Sequence, residues 1–128
     1  AILSVKLRYL DEWNGRRKAQ AVTYSESLSE EKYRLPRVAE SVESVWHQYV
    51  IRHPERDLLR HRLRNAGVST LIHYPIPPHL QGAYTDLKFS DGSFPIAEEI
   101  AKQVLSIPIG PHLTEVQHQR VINELLAT

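Results

Sequence analysis

The segment His73-Tyr74-Pro75-Ile76-Pro77-Pro78-His79 gathers two imidazoles and a phenol around three prolines, with Gln81 and Tyr84 just beyond. Each proline fixes its own φ and removes an N–H donor, so the segment suits neither a helix nor a central strand. It is stiff by covalent restriction. A stiff loop carrying such groups can grip a polar ligand, because imidazoles and phenols contact hydroxyl or phosphate oxygens at little ordering cost. The same residues could also form a turn whose aromatics plug the edge of a domain. Both readings stand on the sequence alone.

Other chemistries are poorly supplied. The seven histidines (His47, His53, His61, His73, His79, His112, His118) include no i, i+4 pair of the zinc-protease type. Without cysteine, zinc would need at least three converging ligands, so no metal site is expected. Arg52, Arg56, Arg60 and Arg64 recur every fourth residue, but no aromatics interleave with them for base stacking. They read as a solvated helix face beside Glu55 and Asp57. The five glycines are scattered singly, which leaves no phosphate-cradling loop, and no G-x-S-x-G surrounds any serine. The sequence offers a contact surface and no self-sufficient catalytic group.

Composition narrows the class further. The chain has 128 residues, one domain's length, with 41% hydrophobic and 24% charged residues. A net charge of +1 gives no field to attract nucleic acid or an anionic membrane, so neither partner is expected. No run approaches the ~18 apolar residues of a membrane span. The absence of cysteine fits a cytoplasmic setting. There is no methionine, even at position 1, and the chain opens on a periodic apolar pattern, as a piece cut from a longer protein would.

The positioning elements follow from periodicity. Leu3, Leu7, Leu10, Ala21, Tyr24 and Leu28 predict a long helix over 1–29, with a kink or frayed turn near Gly15. Val45 to Ile51 predicts a strand, with Val45, His47, Tyr49 and Ile51 on one face. Pro54 and Gly67 bracket a second helix with Leu59, Leu63 and Ala66 as its stripe. Val68 to Ile72 predicts a short strand entering the proline segment. A third helix begins near Pro95, with Ala97, Ile100, Ala101 and Val104 inward and Glu98 and Glu99 complementing its dipole. Leu105 to Ile109 is a further short strand. Thr114 and Gln117 have capping-box spacing for a last helix with Val121, Ile122, Leu125 and Leu126 inward. The sum is an α/β domain of two layers, a short sheet covered by helices.

The segment Ile72 to Tyr84 resembles the histidine-tyrosine-proline loop of the DegT-type nucleotide-sugar aminotransferases, which are fold-type I pyridoxal-phosphate (PLP) enzymes. Leu7 to Asn14 with Arg16-Arg17 is similar to that family's domain-linking helix, and Val45 to Ile51 to the first strand of its small domain. Phe94 to Glu98, Leu105 to Pro111 and Leu113-Thr114 resemble its closing segments. Several ordered matches cover nearly the whole chain.

The resemblance implies a division into a linking helix, 1–29, and a small C-terminal domain, 30–128, with a short, mostly antiparallel sheet. It implies a parent enzyme, dimeric, that transfers an amino group from glutamate to a nucleoside-diphosphate keto-deoxysugar, with a leaning to a dTDP-linked 3-keto-6-deoxyhexose. PLP would be held by a lysine of a large domain that this chain lacks. None of Lys6, Lys18, Lys32, Lys88 and Lys102 matches the family's lysine motif, so no catalytic residue is expected here. His73 and Tyr74 would face the nucleotide-sugar, with His79 near its phosphates or supporting the loop. The alternative is a non-catalytic nucleotide-sugar-binding or dimer-contact module.

Overall fold

The protein is described by a computed structural model over residues 2–127, so Ala1 and Thr128, the ends of the two expected segments, lie outside the described residues. In chain order the elements are α1 (Ile2–Leu7), α2 (Leu10–Ser27), β1 (Tyr49–Arg52), α3 (Arg56–Asn65), α4 (Pro95–Gln103), β2 (Val104–Ile107) and α5 (Glu115–Ala127). Two 3-10 helices, Pro78–Leu80 and Gly82–Leu87, lie between α3 and α4. β1 and β2 pair antiparallel, Tyr49 opposite Ile107 and Arg52 opposite Val104. Single bridges extend this ribbon at both edges, from Arg34 to Arg52 and from Leu71 to Ser106.

The pleat sorts the side chains into two faces. Tyr49 and Ile51 of β1 and Leu105 and Ile107 of β2 are all buried in one core. Onto them pack Ala21, Tyr24 and Leu28 at the end of α2, Leu59 and Leu63 of α3, and Val121, Ile122 and Leu125 of α5. Each set recurs at three- or four-residue spacing, which is one face of a helix. Fully burying a large apolar side chain contributes about 1.5–3 kcal/mol, so this layer carries most of the stability. The result is the two-layer α/β arrangement expected, a small antiparallel sheet with helices on one face.

Several elements differ from expectation. The opening helix is interrupted at Arg8–Tyr9, while Gly15 sits inside an unbroken α2 with open space around it. No residue of α1 is buried, and a short helix without a packed face has little to hold it in line with the next. β1 starts at Tyr49, because Trp46 takes a left-handed backbone (φ 50°) that removes Val45 to Gln48 from the ladder. The Trp46 indole stacks on Tyr49 instead. Val68 to Ile72 contracts to the single Leu71 bridge. Its beginning is consumed by the α3 cap, where Gly67 is left-handed (φ 78°) and the Val68 N–H donates to the Leu63 carbonyl. In α4, Ala97 is exposed and Ala101 buried. Leu126 of α5 is exposed, a further helical step round from the inward Leu125. The capping box is formed as read: the Thr114 N–H donates to the Gln117 side chain (3.0 Å) and the Gln117 N–H to the Thr114 hydroxyl (3.3 Å).

Three α2 side chains at four-residue spacing hold the segment that follows β2. Arg16 donates to the Pro111 carbonyl (3.2 Å), and Tyr24 donates its hydroxyl to the Pro108 carbonyl (2.6 Å). Between them, Gln20 donates to the Gly110 carbonyl and accepts from its N–H, both at 3.0 Å. Burial, then the neighbouring Tyr49, raises the Tyr24 pKa and keeps the phenol protonated as a donor. The buried His118 ring lies edge-on to Tyr24 at 4.3 Å, and desolvation lowers its pKa.

Gln20→Leu would leave the buried Gly110 N–H unpaired, while the Gly110 carbonyl keeps the Leu113 N–H (3.1 Å). We expect a loss of about 1–3 kcal/mol in urea denaturation, and an unchanged midpoint would contradict the role assigned to Gln20. Ile2, Leu3, Val5 and Leu7 are all exposed, Leu3 at 76%. Contiguous apolar surface of this kind drives association. The 128-residue chain is therefore expected to self-associate in sedimentation velocity, and Leu3→Glu with Leu7→Glu to shift it toward monomer.

Candidate functional site

The site is built from β2 outward. The Leu71 N–H donates to the Ser106 carbonyl (3.1 Å) and the Ser106 N–H to the Leu71 carbonyl (2.8 Å), so the proline segment leaves the sheet edge two residues later. Leu105 and Ile107 point into the core, and alternation turns Ser106 to the opposite face. There its hydroxyl meets His73 Nδ1 at 2.9 Å. Beside this pair opens a cavity of about 320 Å³. Its polar wall is His47, Gln48 and Ser69 with His73 and Ser106, and its apolar wall is Leu71 and Ile107 to Ile109. Among the described residues, no acid, lysine or arginine lines it. A small, partly apolar recess with a few converging polar groups is what a ligand site requires.

Tyr74 is 71% exposed, with its ring edge-on to that of its neighbour His73 at 5.7 Å, and only His73 of the two lines the recess. His79 is placed differently. Its side chain is only 8% exposed, Nε2 lies 2.9 Å from Glu98 Oε1, and the ring packs edge-on against Phe94 (4.8 Å) and Phe89 (6.4 Å). Gln81, also singled out by the sequence, donates to the Ile76 carbonyl within the loop (3.0 Å). Tyr84 is exposed.

Glu98 is the anchor of this second cluster. Its carboxylate accepts from the Gly92 N–H at 2.8 and 3.0 Å and from the Phe94 N–H at 3.1 Å, besides His79. These backbone donors, Gly92 first and Phe94 next, hold its carboxyl down to about 2. A residue read as a dipole partner on a helix surface thus ties the Gly92–Phe94 turn, the start of α4 and the proline segment to one another. The arginine series also divides. Arg52 lies in β1 and holds Gln103 (2.7 Å), while buried Arg56 donates to the carbonyls of Ala101 and Val104 that end α4. Only Arg60 and Arg64 remain on an exposed helix face, so the reading of all four as one solvated stripe is corrected. Among the described residues no cluster of His, Asp or Glu is arranged to hold a metal. The lysines do not fit a Schiff-base role toward PLP: Lys6, Lys88 and Lys102 are exposed, Lys18 is paired with Glu43, and Lys32 lies over the Tyr33 ring.

Residues 1–126 match the DegT/DnrJ/EryC1/StrS aminotransferase family. The chain belongs to that family. Aminotransferases of the family depend on PLP. Among curated relatives, the chain is 48% identical to the erythromycin biosynthesis sensory transduction protein EryC1 of Saccharopolyspora erythraea, covering 99% of this chain and 35% of that one. It is 46% identical to the dTDP-3-amino-3,4,6-trideoxy-alpha-D-glucose transaminase of Streptomyces venezuelae, over 96% of this chain and 33% of the relative. Among solved structures, it superposes on S. venezuelae DesV in complex with a ketimine intermediate, with a TM-score of 0.93 and 45% identity over 97% of this chain and 34% of that one. The chain thus spans about a third of the length of the family members it matches. It corresponds to their small α/β domain.

Sequence reading did not single out His47, Gln48, Ser69, Ser106 or Glu98 as part of a site. Ser106 carried a signal, being the one polar residue in the run Val104-Leu105-Ser106-Ile107. His47 and Gln48 were hidden by the strand expected through them, which the turn at Trp46 ends. Glu98 carried none, since an acid in the first turns of a helix is ordinary on any surface.

Because the Glu98 carboxyl is held below its ordinary value of 4.5, its contribution is complete above that pH and is lost as the pH falls toward about 2. We expect the Gly92 and Phe94 amide signals to titrate in NMR with a midpoint near the lower value, and Glu98→Gln to abolish that titration. A midpoint at or above 4.5 would exclude the anchor.

Proposed function

We propose that this chain supplies one wall of the substrate cleft in a PLP-dependent aminotransferase that acts on a nucleoside-diphosphate keto-deoxysugar, with glutamate as amino donor. The observation that carries the reading is His73, fixed on Ser106 at a recess with no formal charge, in a chain matched by a sugar-aminotransferase family along nearly its whole length. A wall of imidazole, amide and hydroxyl groups suits the hydroxyl and carbonyl oxygens of a sugar ring. The diphosphate, which asks for cations, would be met by groups outside this recess.

In this reading His73 and Tyr74 contact the nucleotide-sugar and His79 holds the loop through Glu98. The linking segment, 1–29, joins the small domain, 30–128, to a large domain of the same polypeptide that holds PLP, and the enzyme is a cytoplasmic homodimer. The names of the relatives favour a dTDP-linked sugar aminated at carbon three.

The test is the complete polypeptide containing this chain, loaded with PLP and given dTDP-3-amino-3,4,6-trideoxy-alpha-D-glucose and 2-oxoglutarate. Formation of glutamate is expected, with KM raised about tenfold or more in His73→Ala, the scale of a lost hydrogen bond to a ligand that leaves a polar partner unmet. No turnover of dTDP-linked or UDP-linked amino sugars would overturn the proposal. Binding of the nucleotide-sugar by the 128-residue chain alone, abolished in His73→Ala, would favour a freestanding binding module instead.

A further inference from the structure

We propose that Ser106 is the positioning residue for His73: its buried hydroxyl orients the imidazole so that Nε2 meets an oxygen of the bound sugar. This rests on the reading of His73 as a substrate contact.

The position of Ser106 is unusual for a serine. It stands at the middle of an apolar strand, 7% exposed, opposite Val50 across the ribbon. A β-branched apolar residue would suit such a place better. Both backbone groups of Ser106 are engaged by Leu71, so neither the strand nor the turn needs its hydroxyl. The hydroxyl's hydrogen bond is to His73 Nδ1. A buried polar side chain that contributes nothing to the ladder and holds one ring of a binding wall is placed for that ring.

The geometry constrains what the ring can do. With Nδ1 held at 2.9 Å, the imidazole is pinned on its sheet side. Nε2, on the opposite side of the ring, has no hydrogen-bond partner among the described residues. Ring–edge contact with Tyr74 limits rotation from a second direction. A hydroxyl can donate to Nδ1 or accept from it. Ser106 therefore fixes the orientation of His73 while leaving Nε2 able to accept from a sugar hydroxyl or to donate to a carbonyl oxygen. A carboxylate in its place would hold Nδ1 protonated and leave Nε2 an acceptor in the neutral ring.

Steady-state kinetics of the complete PLP-loaded enzyme with dTDP-3-amino-3,4,6-trideoxy-alpha-D-glucose and 2-oxoglutarate test this. Ser106→Ala is expected to raise KM for the amino sugar about fivefold to tenfold with kcat within about twofold, since the group acts on binding. Ser106→Thr, which keeps the hydroxyl, is expected to recover most of the loss. The double variant His73→Ala/Ser106→Ala should be no worse than His73→Ala, because the two act as one unit. Should Ser106→Ala not fold, Ser106→Cys keeps the volume with a weak donor and answers the same question.

Two failures are distinguishable. If His73→Ala leaves KM unchanged, the substrate-contact reading falls, and the positioning role with it. If His73→Ala raises KM while Ser106→Ala does not, or the double variant adds the two effects, the positioning role alone is overturned.

Discussion

Two backbone hydrogen bonds join Leu71 to Ser106, and the placement of the candidate site depends on them. They dock the edge of β2 against the chain at the point where it enters the proline segment. Two residues later His73 has little choice but to lie over the outer face of β2, where alternation has turned the Ser106 side chain. The prolines then carry the chain away without further pairing, since they have no N–H to donate and cannot extend the sheet. A short bridge followed by a covalently stiff loop thus delivers an imidazole to one defined atom.

Around that point the domain works as two clamps. One is apolar: α2, α3 and α5 cover the inner face of the ribbon, and the Arg16, Gln20 and Tyr24 row of α2 ties the segment from Pro108 to Pro111 to the same helix. That row sets the apolar wall of the recess. The other is polar: Glu98 draws Gly92, Phe94 and His79 onto one carboxylate, and Arg56 closes the end of α4 from beneath. The proline segment is held at one end by β2 and at the other by Glu98. Tyr74 and Ile76, between the two ends, are left exposed. Rigid ends with an exposed middle are a sound way to present side chains to a ligand without a large ordering cost on binding.

The chemistry of the recess is that of a contact surface. It offers imidazole, amide and hydroxyl groups that can donate and accept hydrogen bonds. What such a wall contributes to an enzyme is orientation, which becomes rate only where another part of the molecule holds the reacting atoms.

By itself the sequence determined the elements whose signals are local. The capping box at Thr114 and Gln117, the left-handed cap at Gly67, Leu59 and Leu63 of the α3 stripe, all of the α5 stripe but Leu126, and the covalent stiffness of the proline segment depend on neighbours within a few positions and were legible. Residue type and setting also single out His73 and Tyr74 as candidates, which is as far as local signals reach. The tertiary structure decided what depends on contacts between distant residues: where β1 begins, that Val68 to Ile72 keeps only one bridge, that Arg56 and Glu98 are drawn inward, and that Ser106 meets His73 across 33 positions. A serine in a strand and a glutamate in a helix look alike on any surface. Their partners exist only once the sheet has brought β2 beside the loop.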